Sequence, residues 1–150
     1  MFFKLEIIYD YSKDDINEYR HYLKVERQYI EIIKRFWGIS PVYILNNMNT
    51  ELLEFLKDYT DEKEGSLLKS INDQTKEHNG SLLLYEKFSV IQLLAKLSLR
   101  EKLESCFVFP NMKMILWING LICKVFLGDN HYKELVKLIS TTHGLYLRKV

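Results

Sequence analysis

Two apolar runs, Met112 to Ile118 and Leu121 to Leu127, flank an Asn119-Gly120 pair. An Asn-Gly dipeptide between strand-like runs is the strongest short-range hairpin signal, because a type I′ turn needs positive φ at both central residues. In the register this turn implies, Ile118 faces Leu121 and Leu116 faces Cys123. Met114, Leu116, Ile118, Leu121, Cys123 and Val125 then share one face of the hairpin. Lys113, Ile115, Trp117, Ile122, Lys124 and Phe126 share the other. Any fold must find a core for the first face and an explanation for a second face that is apolar yet holds two lysines.

The segments before the hairpin have mostly helical periods. Ile16, Tyr19, Leu23, Ile30, Ile33 and Trp37 recur at three, four and seven, and Tyr22, Val25, Tyr29, Ile32 and Phe36 widen that stripe. Ser12 is placed to cap this helix, Asp14 and Asp15 to favour its N-terminus, and Gly38 to end it before Pro41. Residues 41–46 read as a short strand or an extended link. Asn49 or Thr50 caps a helix through Leu52, Leu53, Phe55, Leu56 and Tyr59. Asp58 to Gly65 reads as an acidic loop, 66–78 as a helix, and Asn79-Gly80 as a break. Residues 82–104 read as a central helix with Leu84, Phe88, Ile91, Leu94 and Ala95 on one face and Val90, Leu93 and Leu97 widening it.

Three strands complete the expectation. Residues 2–9 alternate, with Phe3, Leu5, Ile7 and Tyr9 on one side. Residues 105–109 add a strand beside the hairpin. Leu145 to Arg148 alternates after a last helix, which Asp129 or Asn130 caps, which turns Tyr132, Leu135, Val136 and Ile139 inward, and which Gly144 ends. The order predicts an α+β fold, helix-rich, with a small, mostly antiparallel sheet containing the 112–127 hairpin. A length of 150 residues, with 47% hydrophobic and 27% charged, suits one globular domain over 1–150.

No apolar run approaches the roughly 20 residues that a bilayer-crossing helix needs. Glu6 falls where a secretory signal would be uncharged. Two cysteines, Cys106 and Cys123, are too few for a disulfide framework. A cytoplasmic location is expected.

Chemistry-bearing motifs are absent. No Gly-rich phosphate loop, Cys-x-x-Cys, His-Glu-x-x-His or Gly-x-Ser-x-Gly occurs. Glu18 and His21 share a helix face, but a di-iron bundle would need that pair twice. No cofactor, metal or catalytic residue is assigned. A motif-less enzyme would draw on Cys106, His131 and His143.

Binding surfaces are better represented. Tyr9, Tyr11, Tyr19, Tyr22 and Tyr29 interleave with Arg20, Lys24 and Arg27, a pattern that can stack RNA bases. Asp14, Asp15, Glu18, Glu26 and Glu31 occupy the same stretch, however, and the formal net charge is only +1. The partner is therefore expected to be a protein, not a nucleic acid or a membrane. Two candidate partner surfaces follow. One is the acidic run Glu51, Glu54, Asp58, Asp61, Glu62 and Glu64, which would steer a basic partner. The other is the second hairpin face, with Ile115, Trp117 and Phe126. Either a helix covers this face and the lysines reach its rim, or it is open with a Trp anchor.

In its size, its Lys-, Ile- and Asn-rich composition (residues with AT-rich codons), its acidic 51–64 segment and its α+β order, the chain resembles bacterial toxin-immunity proteins in general type. The resemblance implies binding to a cognate toxin, blocking of its active site, and, given the acidic run, a nuclease as target. An inhibitor of a host protein encoded by a phage would use the same physics.

Overall fold

The computed structural model describes residues 2–3, 8–80 and 82–149. The elements in order are β1 (Phe2–Phe3), α1 (Tyr9–Ser12), α2 (Ile16–Ile39), β2 (Val42–Asn46), α3 (Thr50–Leu56), α4 (Glu62–Glu77), β3 (Leu83–Tyr85), α5 (Phe88–Leu99), β4 (Ser105–Phe109), β5 (Met114–Asn119), β6 (Ile122–Leu127) and α6 (Lys133–Thr142). The strands form one sheet in the order β1-β6-β5-β4-β2-β3. Every pairing in it is antiparallel. The chain is α+β, and no helix among the described residues is long and apolar enough to cross a membrane.

The sheet buries one face. Met114, Leu116 and Ile118 of β5, Cys123 and Val125 of β6, Phe107 and Phe109 of β4, and Val42 and Ile44 of β2 are all buried. Helix α2 lies against this face. Phe36 meets Phe109 edge-on at 5.6 Å, and the Tyr29 hydroxyl donates to the Leu121 carbonyl at 3.0 Å. The set that widens the α2 stripe, Tyr22, Val25, Tyr29, Ile32 and Phe36, is the most deeply buried part of the helix, whereas Ile16 is exposed. Helix α5 is buried on nearly all sides, as its broad apolar surface requires.

Several sequence expectations need correction. The strand expected over 2–9 is described only at Phe2–Phe3, and Leu5 and Ile7 lie outside the described residues. Tyr9 opens the one-turn α1 instead, because the Ser12 amide donates to the Ile8 carbonyl and the Ser12 hydroxyl to the Tyr9 carbonyl. With Ser12 ending α1, the residue next to the first turn of α2 is Asp15, which caps it, accepting from the Asn17 and Glu18 amides. Gly38 does not end α2. It stays helical, and Ser40 closes the helix by donating its amide to the Phe36 carbonyl. The acidic loop expected through Gly65 ends early, because Asp61 and Glu64 form a capping box that starts α4. The helix expected over 82–104 spans only Phe88–Leu99. Leu83–Tyr85 pairs instead with β2, which offers its backbone a ladder. Neither Asp129 nor Asn130 caps α6. The Asp129 carboxylate accepts from the His131 amide and pairs with Lys113, while Tyr132 takes the cap position without a side-chain bond. Beyond Gly144, which ends α6 at φ +80, the chain makes a single bridge at Arg148 and not a strand.

The hairpin forms with its turn displaced by one residue. Gly120 and Leu121 make the turn, Asn119 lies opposite Ile122, Ile118 opposite Cys123 and Leu116 opposite Val125. Of Asn119 and Gly120 only Gly120 has positive φ, +66, as the first central residue of a type II′ turn does. Tertiary contacts select this form. The Gly120 amide donates to the Ser98 carbonyl at the end of α5, the Asn119 side chain donates to Glu104, and Leu121 is buried beneath Tyr29. The displacement moves the partner by two residues along β6, so every side chain keeps its expected face.

Two consequences can be measured. Glu26 is buried and grips Arg100 through two hydrogen bonds of 2.6 and 2.8 Å. Glu26→Ala leaves a largely buried guanidinium unpaired, so urea unfolding should show a loss of about 3 kcal/mol at unchanged m value. A loss within experimental error would show the pair to be incidental. Burial, with Glu26 nearby, pushes the Tyr22 phenol up, and burial, with Cys123 nearby, does the same at Tyr29. The folded chain therefore keeps both neutral above pH 10, where the unfolded chain ionises them. The stability they contribute is intact below pH 10 and lost above it, at a rate approaching about 1.4 kcal/mol per pH unit for each tyrosine. Tyr29→Phe should reduce the steepness of that alkaline loss.

Candidate functional site

The face of the sheet away from α2 is apolar and open. Cross-strand register places Phe126, Ile115, Val108, Tyr43 and Leu84 in one row across five strands. A second row holds Lys124, Trp117, Cys106 and Leu45. The large members are far more exposed than core side chains: Ile115 40%, Ile122 41%, Leu45 43%, Leu84 45% and Phe126 55%. Such exposure decides between the two sequence readings of the hairpin face: no helix among the described residues covers it.

The two lysines find separate solutions. Lys124 stays on the face, its ammonium 4.7 Å from the centre of the Trp117 ring. A cation over an indole is a favourable arrangement that leaves the ring edge accessible. Lys113 leaves the sheet in a left-handed turn at φ +46 and pairs with Asp129 at 2.9 Å. That pair raises the Lys113 ammonium above its ordinary range and holds the Asp129 carboxyl below its own.

A hollow of about 260 Å³ opens on this face beside Trp117, lined by Leu45, Asn46, Asn47, Glu104, Ser105 and Cys106. It has the dimensions for one inserted side chain. Asn47 fixes its rim by accepting the Glu104 amide at 3.0 Å. Burial, with the Glu104 carboxylate nearby, pushes the Cys106 thiol up. That is the opposite of the electropositive setting that activates a thiol. His131 and His143 lie at opposite ends of α6, whose ten helical residues put them roughly 15 Å apart. The residues considered for a motif-less enzyme are thus not gathered into one site. Glu18 and His21 are both exposed on α2, and among the described residues no group of three or more His, Cys, Asp or Glu is placed to hold a metal.

The acidic run is divided by local structure. Asp61 and Glu64 cap α4, and Glu64 also pairs with Lys96. Glu54 pairs with Lys57. Glu51, Asp58 and Glu62 are exposed and have no ion pair among the described residues. Half of the expected acidic surface is therefore occupied within the chain.

Ile115, Trp117 and Phe126 come together on the open face as expected, but they are only part of it. Tyr43, Leu45, Leu84, Cys106 and Val108 complete it. Residues 42–45 are apolar at every position, so alternation gives no sign of which side chains face outward, and the periodicity around Leu84 predicts helix where the chain forms β3. Only the strand order reveals the surface. Comparison with family models, curated proteins and solved structures gives no match.

Thiol titration compares the two sides of the sheet directly. Cys106 should react with a disulfide reagent more slowly at pH 8 than a free thiol, speeding up at higher pH. Cys123, fully buried with its thiol pushed far up, should react only on unfolding. Two fast thiols in the native protein would contradict this arrangement.

Proposed function

We propose that this chain is a protein-binding module and that the open sheet face is its docking surface. The observation that carries the reading is the contiguous two-row apolar face, with Trp117 near its centre and a side-chain-sized hollow beside it. Contiguous exposed apolar patches of several hundred Å² on small proteins commonly mark binding sites. Interfaces concentrate their energy in central aromatic anchors. The polar groups in reach, Lys124, Asn46, Asn47 and Glu104, would fix the orientation of the partner.

Within this reading we place a toxin-neutralising role first, on the resemblance in type to immunity proteins. The partner would be a cognate toxin domain held against the sheet face, with its active site blocked. Glu51, Asp58 and Glu62 would then contribute long-range attraction to a basic nuclease surface, not contact energy.

Co-expression with the product of the neighbouring gene, followed by affinity purification, tests both levels. A stable complex is expected, weakened about 30-fold or more by Trp117→Ala, corresponding to a hot spot of at least about 2 kcal/mol. Ile115→Asp with Phe126→Asp should abolish it, and Glu51→Lys with Glu62→Lys should slow association only. Cells surviving production of the neighbour only when this chain is present would support the toxin-neutralising role. A complex indifferent to the sheet-face substitutions but lost with the acidic ones would place docking on 51–64 instead.

A further inference from the structure

The outer face of α2 carries an unpaired cationic stripe. Arg20, Lys24, Arg27 and Lys34 follow one another at i, i+4, i+7 and i+14, and Arg35 adjoins the last of them. All five are exposed, and none has an ion pair among the described residues. Fifteen residues of helix make the stripe about 22 Å long.

The acids that interleave with these cations in the sequence are elsewhere in space. Glu26 points into the core and is held by Arg100. Asp14, Asp15 and Glu18 are gathered at the N-terminal end of α2, where Asp15 serves as the cap. Glu31 alone remains within the stripe, half-buried. The sequence argument against a polyanion therefore fails on the helix, where charges segregate by face. The stripe also sets Arg20 against Lys24 and Lys24 against Arg27, like charges at i,i+4 and i,i+3 that weaken a helix slightly. Glu31, four residues from Arg27 and Arg35 and three from Lys34, offsets this only in the second half of the stripe.

A second feature adjoins the stripe. Between the last turns of α2 and Ile139 of α6 lies a cleft of about 570 Å³, lined by Glu31, Lys34, Arg35, Trp37, Gly38 and Ile39. Trp37 is half-buried and rests against Phe88 at 5.6 Å, which holds the indole in place. A fixed aromatic wall beside two cations suits a nucleobase with its phosphates.

We propose that the outer face of α2 binds the phosphodiester backbone of a single-stranded nucleic acid, with one base entering the Trp37 cleft. A row of arginines and lysines beside an aromatic wall is the usual means of tracking a phosphodiester backbone while one base stacks. The stripe faces away from the sheet, so this site is separate from the proposed docking face and does not depend on it.

Fluorescence anisotropy with the full chain and a labelled 20-nucleotide single-stranded RNA of mixed sequence tests the proposal. Binding is expected at 25 mM salt. The logarithm of the affinity should fall linearly with the logarithm of salt concentration, with a slope of about −3.5 if all five cations are engaged. Lys24→Gln with Lys34→Gln should weaken binding about tenfold or more and flatten the slope by roughly one to two. Trp37→Leu should weaken binding about fivefold or more through loss of the stacked base, whereas Lys63→Gln with Lys69→Gln on α4 should leave it unchanged, as should Ile115→Asp with Phe126→Asp on the sheet face. No binding at 25 mM salt would overturn the proposal. So would equal affinity for polyglutamate of the same charge, which would assign the stripe to an acidic protein instead.

Discussion

The last turn of α5 holds the rest of the molecule in register. A helix end leaves carbonyls without intrahelical donors, and here three different parts of the chain supply them. The Lys102 amide donates to the Leu97 carbonyl, the Gly120 amide to Ser98, and the Tyr22 hydroxyl to Leu99. One turn thus ties the central helix to α2, to its own exit loop and to the hairpin. Arg100 follows at once, with its guanidinium on Glu26 and over the Tyr9 ring at 4.7 Å. Lys102, buried beside it, reaches Asp10 and lies over Tyr59. A buried unpaired carbonyl costs more than a hydrogen bond contributes, which favours these partners once α5 is surrounded; the Ser98 carbonyl accepts from the Glu101 amide as well.

That constraint reaches the open sheet face. Anchoring Gly120 to Ser98 displaces the turn by one residue and fixes β5 against β6. Gly120 tolerates the position because its φ is +66 and because a Cβ there would come within 2.6 Å of the Glu101 carboxylate. With the hairpin fixed, β4 and β2 extend the same two rows, and their outward residues join Trp117 and Phe126. The helices follow the other side of the sheet because Phe36, Tyr29 and the α5 side chains already fill the space there. Antiparallel sheets commonly leave one face to solvent, but that face is then polar. An apolar open face departs from the pattern and is the main reason to read the chain as a binding protein.

Much of this was legible in the sequence where a physical signal is local. The α+β class, both hairpin faces, a cap at Asn49 or Thr50 (Asn49 in the structure), the Asn79-Gly80 break and the Gly144 stop all follow from period or turn chemistry. Positions decided at long range were not legible. Ser12 gave way to Asp15 because it ends the one-turn α1, while α2 begins only at Ile16. Leu83–Tyr85 became a strand because β2 offered a ladder, and α6 lost its expected cap because Asp129 was drawn to Lys113. At the site, Trp117, Ile115 and Phe126 could be grouped from alternation alone. Tyr43, Leu45 and Leu84 could not, since uniformly apolar strands do not reveal their outward side. The cationic stripe was hidden for a related reason: linear interleaving with acids conceals a segregation that appears only around the helix.

The most direct test of the central claim is a stability measurement on the sheet face. Ile115→Thr, Ile122→Thr and Phe126→Thr together, followed by urea unfolding, should leave stability within about 1 kcal/mol of the parent, because exposed side chains far from caps and core contribute little. Partner binding should be lost at the same time. A loss of several kcal/mol, the size expected for deleting packed core side chains, would mean that the face is covered in solution, and would contradict its role as a docking surface.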